Sequence, residues 1–249
     1  MSIRPIATAS VVTFLLGASG ATAVAAEMPA VQDRCGVSSW QVTWGVKESF
    51  RAYLSGSIAN GEWTTSGNVS YNTPSFTITG SEGWISRDGA TGQLVTDGEI
   101  RFMGHGGILD QTLSAPAVSI TEESIALVFD VSGDTQEGVS VDEAAVPFVS
   151  GDSEPSIDSA NGEWSATDVA TTLTEEGASA FGTYPAGEPF DPVTIRANVE
   201  PGCLEQPSGL SGALGWVAGI AVVASAAARA VTSWVRKSRG RGRLALPES

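Results

Sequence analysis

Trp44-Gly-Val-Lys-Glu-Ser-Phe-Arg-Ala-Tyr53-Leu-Ser-Gly56 carries a short amphipathic helical pattern in a sequence that otherwise reads as strands and turns. Val46, Phe50, Tyr53 and Leu54 recur at i, i+4, i+7 and i+8, so they share one face of a helix. Thr43 is the expected N-cap, and Gly56 is the residue expected to take positive φ where the helix stops. This pattern turns Tyr53 inward with the apolar set and places Ser49 one turn before it on the same side. A phenol on an apolar face ordinarily fills space and hydrogen-bonds its hydroxyl, so the helix alone does not reveal a function.

Outward from that stretch the texture is β. Turn dipeptides recur at Asn60-Gly61, Asp88-Gly89, Asp97-Gly98 and Asn161-Gly162, with short alternating segments between them. Ser75-Phe-Thr-Ile-Thr79, Glu99-Ile-Arg-Phe-Met103 and Ala117-Val-Ser-Ile-Thr121 alternate polar and apolar residues, as half-buried strands do. Ser124-Ile-Ala-Leu-Val-Phe-Asp-Val131 is more continuously apolar and is expected in the middle of a sheet. Asp134 to Ser159, rich in Asp, Glu, Ser and Gly, reads as surface loops. A second helix is expected from the capping-box spacing Thr172-Leu-Thr-Glu175 through Phe181 to Gly182, with Tyr184 just beyond it. The expected fold class is therefore all-β with two short α-helices, its antiparallel strands forming two sheets in a sandwich or an open barrel.

The two ends of the chain differ from this body. Arg4, the apolar run Val11-Val-Thr-Phe-Leu-Leu16 and the small residues Ala21-Thr-Ala-Val-Ala-Ala26 predict a signal peptide over 1–26. Residues 27–204 then form one domain outside the cytoplasm, long enough for a single sizeable core. After a linker at 205–209, Leu210 to Ala228 contains no charged residue and would span roughly 28 Å as a helix. A transmembrane anchor is expected over 210–234, Arg229 snorkelling to the far interface, with a basic tail over 235–249 on the cytoplasmic side. The predicted location is thus the cell membrane, crossed once, with the domain facing the exterior. Cys35 and Cys203 are the only cysteines, and outside the cytoplasm a disulfide between them is the natural expectation.

Charge and residue inventory remove several functions. The formal net charge is −15, with 6 Lys+Arg against 27 Asp+Glu between Glu27 and Gly209. Such an acidic body repels nucleic acid and anionic headgroups, so no nucleic-acid partner is expected. One histidine and two distant cysteines cannot build a zinc site of the usual kinds, and neither a G-x-S-x-G elbow nor a phosphate loop is present. A Ser-His-Asp set or a carboxylate pair has no spacing in its favour, and the expectation is a protein that is not an enzyme. His105, the single histidine, lies in Arg101-Phe-Met-Gly-His-Gly-Gly107, where a strand gives way to glycines that permit close backbone approach to something flat or bulky.

Several of these motifs together resemble the HtaA-type haem-binding domain of Gram-positive haem-uptake proteins. They are Trp44-Gly-Val-Lys-Glu-Ser-Phe-Arg-x-Tyr53, Ile58-Ala-Asn-Gly-x-Trp63, Arg101-Phe-x-Gly-His105, Ala180-Phe-Gly-Thr-Tyr-Pro-Ala-Gly187 and Asp191-Pro-Val193, in order across Trp40 to Val199. With its signal peptide, one domain copy, one anchor and a basic tail, the chain looks like a single-domain anchored member. The resemblance implies ferric haem, bound non-covalently, with Tyr53 as the axial ligand of its iron and His105 hydrogen-bonded to that tyrosine. It likewise implies that Tyr184 and Ser49 border the haem; Thr183 departs from the pattern, standing where an aromatic residue is expected. The implied partners are haem or haem-carrying host proteins, other haem-uptake proteins and a haem transporter, besides the membrane that holds the anchor.

The chemistry agrees with that implication. A phenolate is a hard anionic oxygen that favours ferric iron, and tyrosine is a known haem ligand. A neighbouring imidazole acting as acceptor orients and tunes such a ligand. From the residues alone two other functions stay open. One is a surface adhesion or carbohydrate-binding β-module with exposed tryptophans and no haem; the other is a hydrolase using the abundant acids.

Overall fold

The computed structural model describes residues 33–206. The expected signal peptide, anchor and basic tail lie outside the described residues. Within them, no helix is long and apolar enough to cross a membrane.

The chain begins with β1 (Arg34–Trp44) and α1 (Glu48–Ser55), followed by β2 (Glu62–Gly67), β3 (Val69–Asn72), β4 (Ser75–Gly80), β5 (Glu82–Ser86) and β6 (Gly92–Val95). Next come β7 (Gly98–Gly104), a 3-10 turn at His105–Gly107, β8 (Leu109–Ile120) and β9 (Ser124–Asp134). The last elements are β10 (Ser140–Asp152), β11 (Ser156–Asp158), β12 (Glu163–Leu173), α2 (Glu175–Phe181) and β13 (Pro189–Val199).

Every pairing among the described strands is antiparallel. Hydrogen bonds link them into one branched sheet of 13 strands rather than two separate sheets. Following the pairings from β1 through β13, β12, β10, β9, β8, β6 and β5 returns to β1, so the sheet closes on itself like a barrel. The closure is thin between β10 and β12, where only Val149 with Leu173 and Ser150 with Thr172 are in register. Two long strands change partner along their length. β1 pairs β5 through Arg34–Gly36 and β4 through Trp40–Trp44, while β8 pairs β7 through Leu109–Ser114 and β6 through Ala117–Ile120. Long strands that serve two neighbours in turn knit what would be two sheets into one.

The alternating segments behave as their periodicity demands. In β8 and β9 successive residues face the core and the outside in turn, which is the pleat acting on a period of two. The acidic stretch expected as loops is instead mostly β10 and β11. The first half of β10 faces water, so its composition is that of an exposed surface while its backbone pairs with β9 from Ser140 to Asp152.

Cys35 and Cys203 are bonded, with Cα atoms 5.8 Å apart and 168 residues between them in sequence. The bond ties the start of β1 to the segment just past β13. In the chain-entropy account a loop of that length stabilises by up to about 5 kcal/mol.

Both helices pack on the same aromatic core. Phe50 of α1 meets Phe102 of β7 and Phe181 of α2 at ring distances of 5.2 and 5.0 Å. Phe181 in turn meets Phe148 of β10 at 5.3 Å. Edge-to-face contacts of this kind add about 0.5–1.5 kcal/mol each beyond the area they bury, so the two helices are fixed against one another through Phe50 and Phe181.

Candidate functional site

The first helix is shorter than its apolar pattern suggests. Thr43 and Trp44 belong to β1, and α1 runs only from Glu48 to Ser55. Its N-cap is Lys47, whose side chain makes no capping hydrogen bond. The capping oxygen comes from far along the sequence: Asp191 Oδ1 accepts the Glu48 N–H at 3.0 Å. Gly56 is extended, with φ −78, rather than left-handed, and it closes the helix by donating its N–H to Tyr53 O at 3.1 Å. Left-handed backbone occurs instead at the entry, where fully buried Val46 has φ 64. A β-branched residue there is strained by roughly 1–3 kcal/mol and persists only when its surroundings hold it.

Phe50 and Leu54 are fully buried, whereas Tyr53 is half-buried, packed against the core at one edge and open at the other. Its phenol oxygen is hydrogen-bonded to Nε2 of His105, with ring centroids 5.7 Å apart. If the phenol donates, Nε2 accepts and the ring proton sits on Nδ1; a phenolate instead accepts from Nε2–H. One imidazole can therefore support the tyrosine in either protonation state.

His105 is placed by the loop that leaves α1. Its backbone N–H donates to Ala59 O at 2.8 Å, and it opens the 3-10 turn with φ 52. Gly106 and Gly107 follow at φ 64 and 98, and a Cβ added to either would meet nothing within 4 Å. Positive φ explains these glycines, and they leave the backbone beside His105 bare toward the outside.

The apolar surroundings of this pair are unusual for the domain. Among the described residues the strongly exposed large apolar side chains are Ile58, Ile108 and Val139, at 77, 55 and 57%. Ile58 precedes the Ala59 that binds His105, and Ile108 follows the turn that His105 opens. Val139 follows Gly138, where a Cβ would come within 3.7 Å of Ile108 Cγ2. The exposed apolar surface is thus gathered around His105 instead of scattered, which is the arrangement expected of a binding face for something apolar.

The second helix presents Tyr184. Thr174 caps α2 by accepting the Gly177 N–H at 2.8 Å, two residues later than Thr172, which is still in β12. α2 ends at Gly182, as expected, and Gly182 lies in the left-handed region at φ 66. The Tyr184 ring lies parallel to Phe181 at 6.3 Å, and the Lys47 ammonium sits 5.1 Å from its centroid. Lys47 also pairs with Glu188 at 2.9 Å. Tyr184 is thus anchored beside the start of α1, while Tyr53 lies near its end. Ser49 is exposed on the helix between them, one turn before Tyr53. Of the four residues expected at the site, the structure joins Tyr53 to His105 by a direct bond. Ser49 and Tyr184 have no hydrogen bond to that pair among the described residues.

Sequence reasoning assigned no role to Arg51 and Asp191, nor to the three exposed apolar residues. Arg51, Ile58 and Asp191 stand within the motifs that carry the family resemblance, and Ile108 follows the two glycines after His105. Among the described residues Trp40, Trp44 and Trp164 are buried, while Trp63 and Trp84 are half-buried and pack against Tyr71 and Arg34. Among the described residues no group of three or more His, Cys, Asp or Glu converges to hold a metal ion. The polar depressions elsewhere, such as that lined by Asn68, Thr79, Glu82 and Asp97, contain no imidazole.

The fold and site define a closed antiparallel β-domain with two short helices on its aromatic core and a tyrosine–histidine pair on an apolar rim. The HtaA family profile, described as Htaa, matches residues 39–196, and the chain belongs to that family. Among solved structures, the C-terminal domain of HtaA from Corynebacterium glutamicum is 30% identical, with a TM-score of 0.61 over 66% of this chain and 99% of that one. The N-terminal domain of the same protein is 26% identical, with a TM-score of 0.58 over 66% and 98%. The heme binding protein HtaB from that organism, 23% identical with a TM-score of 0.51 over 67% and 97%, shares the fold. A comparison with curated protein sequences found no match.

Proposed function

We infer that this domain binds ferric haem through Tyr53 and hands it on without chemical turnover. The observation that carries the reading is the Tyr53–His105 hydrogen bond, set where the exposed apolar residues Ile58, Ile108 and Val139 gather. Membership of the HtaA family and the heme-binding name of a protein with this fold support it. The residues present fit the cargo. A half-buried phenol offers a hard oxygen to ferric iron, the apolar rim suits the faces of a porphyrin, and bare glycine backbone leaves room beside them.

In this reading Tyr53 is the axial ligand, and His105 Nε2 takes the phenol proton or donates to the phenolate, tuning the oxygen's basicity. Ser49 and Tyr184 border the porphyrin. A single strong protein ligand suits a carrier that must release its cargo to the next protein, here other haem-uptake proteins and a transporter. The domain would face the cell exterior on a single anchor over 210–234, with the basic tail inside.

Adding hemin to the domain tests the binding. A Soret shift with tyrosinate-type charge-transfer bands is expected, and a spectrum identical to free hemin would overturn the reading. Protease applied to intact cells tests the topology: it should remove the domain and spare the tail, and cleavage of the tail would reverse the orientation.

A further inference from the structure

We propose that Asp191, with its partner Arg51, is the positioning residue for Tyr53, setting the helix that carries the phenol so that its oxygen meets His105 Nε2. The inference rests on the reading of Tyr53 as the ligand-bearing residue, and it assigns the control of that residue to a carboxylate 143 positions along the chain from the helix start.

Every polar group of Asp191 is committed to the junction between β1 and α1 or to its support. Its carboxylate accepts the Glu48 N–H through Oδ1 at 3.0 Å and Arg51 Nη1 through Oδ2 at 2.7 Å. Its backbone N–H donates to Val46 O at 2.9 Å. Its backbone oxygen accepts Trp44 Nε1 at 3.1 Å and Thr171 Oγ1 at 3.0 Å. Arg51 Nη1 also donates to Gly45 O, so one guanidinium nitrogen ties the helix to the junction that follows β1 and to Asp191 together. A Cβ on Gly45 would fall on the Asp191 carboxylate, and only glycine leaves that space free.

The consequence is mechanical. Because α1 has no cap of its own, its starting direction is not determined by its own sequence. That direction is determined by Asp191, which holds the left-handed Val46 in place and caps the first helical N–H. Tyr53 lies two residues after Arg51 on a helix of 8 residues. A small tilt at the Asp191 end therefore carries directly to the phenol, whereas His105 follows directly on β7, which is paired on both sides with β2 and β8. Loss of the carboxylate separates the two partners without removing either.

The chain has a single histidine, so its imidazole nitrogen signals in nitrogen-15 NMR report on the Tyr53–His105 bond in the haem-free protein. The wild type is expected to give a hydrogen-bonded Nε2 signal, and Tyr53→Phe supplies the broken-bond reference. Asp191→Asn, checked for native folding by near-ultraviolet circular dichroism, should move the signal toward that reference. Its haem affinity should fall by about 10-fold, the lower end for loss of an outer-shell partner. Thr174→Ala, which removes the cap of α2 instead, should leave the His105 signal where it is. Should Asp191→Asn fail to fold because Arg51 is left buried and unpaired, the double variant Asp191→Ser/Arg51→Met removes both charges and is read in the same way. A folded variant lacking the carboxylate, with a wild-type His105 signal, overturns the inference, as does a wild type whose signal already matches Tyr53→Phe. Because these signals are read without haem, a protein that fails to bind hemin would sink the proposed function and leave this test intact.

Discussion

The two helices of the domain are nearly equal in length and lean on each other through Phe50 and Phe181, yet they are specified in opposite ways. α2 is local: Thr174 caps its start, Gly182 ends it in the left-handed region, and acidic residues occupy its first turn. α1 has no side-chain cap of its own, begins after a strained valine and is capped from a residue 143 positions away. The helix that carries Tyr53 is thus the one whose geometry depends on the whole fold. A side chain held in this way stays in place as long as the domain is folded, and no local fraying moves it alone.

The comparison can be broken at the ring that joins the helices. Phe50→Ala leaves a cavity against Phe102 and Phe181 and should cost about 3–5 kcal/mol, read by chemical denaturation, with the haem spectrum lost as α1 loosens. An effect below about 1 kcal/mol would mean that the site repacks and the two helices are not coupled there.

His105→Ala sharpens the contrast between ligand and support. It leaves α1 in place and removes only the partner of the phenol, so haem affinity should fall by about 10–100-fold with an altered but still tyrosinate-type spectrum. Thermal melting without haem should change little, since the ring of His105 is partly exposed.

Thr174→Ala removes a local cap and should cost about 1 kcal/mol of stability, with no change in the haem spectrum at temperatures where the protein is folded. A spectral change there would show that α2 controls the site as strongly as α1.

The smallest effect belongs to another local cap, in the turn from Ser86 to Thr91. The Ser86 hydroxyl and the Ala90 N–H donate to the Asp88 carboxylate and lower its pKa. A group whose folded pKa is depressed contributes stability above the ordinary carboxylate value of about 4, and loses it as pH falls through the lower folded value. Asp88→Asn should flatten the acid side of the melting profile slightly and leave neutral pH nearly unchanged.

What local sequence can specify was legible, and what only the closed fold specifies was not. β4, β7 and β8 were readable because alternation records which face is buried, and β9 from its more continuous apolar run. The end of α2 was readable from Gly182. The Cys35–Cys203 bond was expected from the count of two cysteines and the predicted signal peptide. The start of α1 was misplaced because the apolar spacing of Val46 continues the helical pattern, while the chain there is leaving β1, held by Asp191. β10 was missed because an exposed acidic strand has the composition of a loop. Residue type alone favoured a space-filling role for Tyr53. Its meeting with His105 was expected only through resemblance to a family, since nothing local connects positions 52 residues apart.

The most direct test is hemin titration of Tyr53→Phe beside the wild type. The substitution keeps the ring and its packing and removes only the oxygen, so melting should stay near that of the wild type. Tyrosinate charge-transfer bands should appear with the wild type and be absent with the variant. A folded Tyr53→Phe protein that binds hemin with the wild-type spectrum would contradict the account and place the iron on another ligand.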